Sequence, residues 1–176
     1  MLLMRRNGFT IVELLIGMVI MAILMLFALP TYQEFMGNTR IRNTADSLAH
    51  GVRLAQVEAI KRNENVTFEV APAVGWRIRD LAAADLHVEP FSDTSGLILV
   101  DPRPAGALKL TYDPLGRFVP NDDATPVMTS IRVTHTTMST PNDLRVTTDP
   151  AWGSTRVCEP RFTFPADPAG CPVGLP

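Results

Sequence analysis

Few side chains in this sequence are placed to do chemistry. The 176 residues carry 18 acidic and 16 basic side chains, three histidines and two cysteines. Cys158 and Cys171 are too far apart for a redox CxxC pair and too few for a four-cysteine zinc site, so a structural disulfide is the expectation. His87 and His135 stand alone, and His50 lies among polar neighbours with no ligand set near it. Asp122-Asp123 reads as a polar turn, with a Ca²⁺-ligand role left open. There is no HExxH, no P-loop, no GxGxxG and no supported Ser/His/Asp order. The chain is therefore expected not to be an enzyme, and to use no cofactor, metal or small-molecule substrate. Glu13 is different: it is the single charge within the apolar run Phe9–Leu29, where a carboxylate is costly and needs a reason.

The elements that hold these residues are sharply unlike one another. Phe9–Leu29 is long enough, as a helix, to span a hydrocarbon core of about 30 Å. Arg5 and Arg6 precede it, which orients the basic end to the cytoplasm and exports the rest. A cleaved secretory signal would have a shorter apolar core and a small-x-small site; Phe27-Ala28-Leu29-Pro30 offers none. Pro30 either ends this helix or bends one that continues.

Residues 31–62 read as an amphipathic helix. Ile41, Ala45, Leu48, Val52, Ala55 and Ala59 recur at steps of four and three, and Leu54, Val57 and Ile60 widen the stripe. Beyond Asn63 the texture changes to β-branched runs separated by Pro, Gly, Asp and Asn. Strands are expected at Val66–Val70, Trp76–Arg79, Leu97–Val100, Ala107–Tyr112, Val127–Thr134 and Leu144–Thr148, with a turn at Asp113-Pro114-Leu115-Gly116. The fold class is thus α+β: a long N-terminal helix, apolar then amphipathic, packed on an antiparallel β head at residues 63–176. Loops around 80–95, 101–106 and 120–126 are expected to select neighbours or ligands. A Cys158–Cys171 bridge would sit on the exported side and staple a Pro-rich loop.

The start of the chain carries a resemblance. Gly8-Phe9-Thr10-Ile11-Val12-Glu13-Leu14-Leu15, after a short basic leader, resembles the class III signal of type IV pilins and type II secretion pseudopilins. The resemblance implies that a prepilin peptidase cuts between Gly8 and Phe9, removes residues 1–8 and methylates the Phe9 amine. Residues 9–30 are retained, first in the inner membrane and then in the filament core. Glu13 would meet the Phe9 amine of a neighbouring subunit, since paired charges in a low-dielectric core attract strongly while a lone one is penalised. Proline at position 30 also resembles the pilin pattern, as a helix kink.

Three further segments resemble the FimT/FimU (GspH-like) group: Leu54–Phe68 at the helix-to-strand passage, Leu110–Arg117, and Gly153-Ser154-Thr155-Arg156-Val157-Cys158. They imply a minor pilin of an initiation or tip complex, partnered by other pilins, the peptidase and the inner-membrane assembly platform. Its head would be periplasmic, then cell-surface. The alternatives are a type II secretion pseudopilin and a DNA-binding minor pilin. DNA is disfavoured: Ser154 replaces the first arginine of the resembled Gly-Arg-x-Arg, leaving Arg156 and Arg161, with Trp152 beside them. Removal of Arg5 and Arg6 leaves 14 basic against 18 acidic side chains, a formal −4, and phosphate affinity needs several cations together.

Overall fold

A computed structural model describes residues 10–72, 74–92, 95–149 and 153–172. Its first element, α1, runs Ile11–Arg62 without a break, so the helix does not end at Pro30. Two compact units share it, Met1–Met36 and Gly37–Pro176.

In the first unit the apolar side chains from Ile11 to Leu29 are exposed. Exposure of the large ones from Ile11 to Leu29 runs from 49% at Ile23 to 81% at Ile11. An 18-residue window here has a mean hydropathy of 2.8 and is wholly unburied, so length and composition suffice to cross a membrane.

In the second unit the helix buries one face. Ile41, Ala45, Leu48, Val52, Ala55 and Ala59 are all fully buried, as their spacing predicts. The stripe widens at positions other than those expected: Thr44, Ala49 and Gly51 are buried, and Leu54 is half-buried against the core, whereas Val57 and Ile60 are 55% and 52% exposed. Burial along the helix begins at Gly37. Gly51 has a steric reason, because a Cβ there would lie 2.8 Å from the rings of both Phe68 and Trp76. The indole N–H of Trp76 then donates to Ser47 Oγ, one turn earlier, at 3.0 Å. The helix stops at Asn63, whose φ of +55° is left-handed. The Glu64 N–H reaches back to the Ala59 carbonyl at 3.3 Å, the 6→1 bond of a Schellman ending.

Ten strands follow among the described residues: β1 Val66–Ala71, β2 Gly75–Arg79, β3 Asp85–Pro90, β4 Ile98–Arg103, β5 Lys109–Tyr112, β6 Phe118–Val119, β7 Ser130–His135, β8 Leu144–Thr148, β9 Thr155–Phe164 and β10 Gly170–Pro172. They form two sheets, β3-β2-β1-β5-β6 and β10-β9-β8-β7-β4. Pairing is antiparallel except for β9 with β10. Opposite residues Phe68, Ile78 and Leu110 bring β1, β2 and β5 onto one face. They share a core with Val100, Ile131, Val133 and Val146 of the other sheet and with the helix.

The differences from the expected strands have physical causes. β3, within the expected loop at 80–95, is exposed at all positions but Leu86, so it shows no inside–outside alternation. Its Asp85, His87, Glu89 and Pro90 mark a guarded sheet edge. β4 continues through Pro102, which an edge strand tolerates. Val127 makes only an isolated bridge to Lys109, and the strand expected from it begins at Ser130. β5 likewise begins at Lys109 rather than Ala107, and β6 and β10 are too short to leave a pattern.

Candidate assembly site

Thr10 opens α1. Its carbonyl accepts the Leu14 N–H at 3.2 Å, and its Oγ1 accepts the Glu13 N–H at 3.2 Å. That geometry makes Thr10 the N-cap and Glu13 the third helical residue, where a carboxylate also complements the helix dipole. The Glu13 side chain makes no hydrogen bond or ion pair among the described residues, and the position is exposed. A single anion thus stands at the start of an apolar face that has no partner. Gly8 and Phe9, with Arg5 and Arg6, lie outside the described residues.

In the head, the three segments of the FimT/FimU resemblance come together. Gln56 of α1 donates its Nε2–H to the Gly116 carbonyl at 2.9 Å. Gly116, at φ +74°, closes the Asp113–Gly116 turn, in which Asp113 Oδ1 accepts the N–H groups of Leu115 (2.9 Å) and Arg117 (2.8 Å). Burial acts to raise the Asp113 pKa, but those N–H groups and the Arg117 guanidinium outweigh it and hold the carboxyl below its ordinary value. Gly153, at φ +65°, presses on the same point: a Cβ there would lie 2.7 Å from the Gly116 oxygen and 2.8 Å from Gln56 Nε2. Arg53, one turn before Gln56 on the helix, donates to the Thr155 carbonyl at 3.1 Å. The sequence marked the two glycine motifs, but it gave Gln56, within Leu54–Phe68, no role of its own.

Cys158 and Cys171 are bonded, with sulfurs 2.02 Å apart, tying β9 to β10. Arg156 and Arg161 are both occupied. Arg156 donates to the Pro168 carbonyl at 3.2 Å and lies 5.0 Å over the Phe164 ring; Arg161 holds Glu159 at 2.9 Å and lies 5.6 Å over Phe162. Trp152 lies outside the described residues.

The histidines are dispersed. His50 is exposed, His87 stacks on Trp76 at 5.3 Å, and His135 is buried beside Gly37. Asp123 is bound by Lys109 and Thr125, and the Lys109 ammonium first and the Thr125 donors next hold its carboxyl well below the usual range. Among the described residues no group of three or more His, Cys, Asp or Glu side chains could hold a metal ion.

A long helix, exposed and apolar at its start and packed at its end on antiparallel sheets, defines a type IV pilin-like protein. Residues 44–152, more than half of the chain, match the family described as "Type II transport protein GspH", and residues 3–29 match the "Prokaryotic N-terminal methylation motif". The chain belongs to the GspH family and has a pilin-like fold.

Several known proteins are similar to this chain. The type IV major fimbrial protein FimA of Dichelobacter nodosus is 28% identical over 127 residues, covering 70% of this chain and 75% of its own. The type IV minor pilin FimU of Pseudomonas aeruginosa superposes with a TM-score of 0.54 at 18% identity, covering 70% of this chain and 91% of that one. The minor pseudopilin EpsH from the type 2 secretion system of Vibrio cholerae gives 0.49 at 15% identity, covering 69% and 98%.

Proposed function

We propose that this chain is a minor type IV pilin, processed by prepilin peptidase and assembled into an initiation or tip complex that supports pilus biogenesis, motility and adhesion. The observation that carries the reading is the apolar segment Ile11–Leu29, exposed along its length and bearing one carboxylate, Glu13, at its start. An apolar surface of this extent requires lipid or other helices around it. Cleavage between Gly8 and Phe9 would place a methylated, cationic Phe9 amine one helical turn before Glu13. In the inner membrane the segment anchors the chain, with the head in the periplasm. On assembly, the Phe9 amine of one subunit pairs with Glu13 of the next and sets their stagger. Gly17, where a Cβ would meet nothing within 4 Å, and a bend at Pro30 let the helices adjust as they pack. The assembly platform and other pilins are the partners.

The name of the matched family, type II transport, supports a second reading, a secretion pseudopilin using the same assembly chemistry. Quantitative mass spectrometry of sheared filaments tests the first. The wild-type chain is expected there at far below the major subunit, while Glu13→Ala inserts in the membrane but is depleted from the filaments. Parity with the major subunit overturns the minor role. Unchanged incorporation of Glu13→Ala overturns the pairing. Intact pili with lost protein secretion in a deletion strain decides for the second reading.

A further inference from the structure

Two of the loops expected to select ligands close on one cavity. The turn at Asp80–Ala83 and the turn at Asn121–Asp123 face each other across the first sheet, and about 230 Å³ lies between them. Thr67 and Glu69 of β1 and Thr111 of β5 belong to its lining, and Lys109 enters from β5.

The hydrogen bonds fix which way this lining is polarised. Asn121, 5% exposed, directs its Nδ2 at the carbonyl oxygens of Thr125 and Pro126, both 3.2 Å away. Its Oδ1 is therefore the acceptor, and it takes the Thr111 hydroxyl at 2.9 Å. Thr111 has then committed its one proton. The 3.0 Å contact between the hydroxyls of Thr67 and Thr111 must have Thr67 as donor. Thr67 Oγ1 consequently offers only lone pairs to a ligand. Across from it, the Asp122 carboxylate makes no hydrogen bond or ion pair among the described residues, and it too can only accept. Lys109, bound to Asp123 through one of its three N–H donors, has others to give.

A single volume thus presents acceptors and a donor together. Most of the charge on this lining is already neutralised within the protein: Glu69 pairs with Arg77 at 2.9 Å and Arg79 at 3.3 Å, Arg79 also with Asp85, and Asp123 with Lys109, while Asp80 accepts the Ala84 N–H. A hydroxyl group both donates and accepts, so adjacent hydroxyls on a neutral ring satisfy both kinds of partner. The volume is below the roughly 300 Å³ at which pockets for drug-sized ligands begin. We propose that this cavity binds a hydroxyl-rich ligand about the size of one sugar ring.

Saturation-transfer NMR on the full chain, solubilised in a detergent without a sugar headgroup, tests this with glucose, galactose, mannose and N-acetylglucosamine. At least one is expected to receive saturation. Asp122→Ala, which removes no intramolecular bond, should weaken that ligand by about tenfold or more with an unchanged melting temperature, and Thr67→Val should weaken it too. Silence of all four sugars at millimolar concentration overturns the proposal. So does transfer to agmatine, a guanidinium probe, with the sugars silent, or sugar binding unaltered in both variants.

Discussion

Gly153 shows how a short motif can be structural rather than chemical. Its backbone is left-handed, and a Cβ added there would run into a carbonyl oxygen and an amide nitrogen. Gly96 shares the left-handed backbone, at φ +70°, but has nothing within 4 Å of a Cβ position. Gly96→Ala should therefore cost only the conformational penalty, about 1 kcal/mol. Gly153→Ala should cost about 2–4 kcal/mol, because the Gln56–Gly116 hydrogen bond must also give way. Thermal or denaturant unfolding of the two variants checks the difference; equal losses would mean that the close approach does not matter. Gly153 was legible through the resemblance of its segment, and its partner Gly116 as the end of a turn. Gln56 was not, since a glutamine on a helix looks the same whether it meets water or a carbonyl sixty residues away.

At the scale of elements, legibility followed burial contrast. The six apolar positions from Ile41 to Ala59 face the core because their spacing matches the helix period. β7 was readable from the alternation of Arg132 between Ile131 and Val133 for the same reason, although Val127 was wrongly joined to it. β3 was invisible, since an exposed edge strand needs no apolar residues to form; its pairing to β2 supplies the stability that its own side chains do not. Val57 and Ile60 misled in the opposite way, being apolar yet exposed. β10 depends on another kind of contact. It is three residues long and held to β9 by a parallel pairing and the Cys158–Cys171 bond, across a sequence separation of 13. Loss of that bond in Cys158→Ser with Cys171→Ser should cost roughly 3 kcal/mol by the chain-entropy account. Hydrogen exchange should show it first as lost protection in β10 and the end of β9, with β1 unaffected. Uniform loss across the head, or none, would contradict a local staple.

For the whole molecule, two kinds of surface divide the labour. The head buries one apolar core between α1 and both sheets. The segment Ile11–Leu29 hides nothing and has Glu13 as its one charge. This asymmetry was legible from hydropathy alone, whereas the sugar-sized cavity was not, because it is assembled from β1, β5 and two turns distant in sequence. The account rests on the apolar segment being kept after export, not discarded as a signal. Mass spectrometry of the N-terminal peptide, taken from the sheared filament fraction, tests that most directly. The account predicts a chain that begins at Phe9 and is heavier by one methyl group on its amine. A chain in that fraction beginning at Met1 or beyond Pro30, or a Phe9 amine without the methyl, would contradict it.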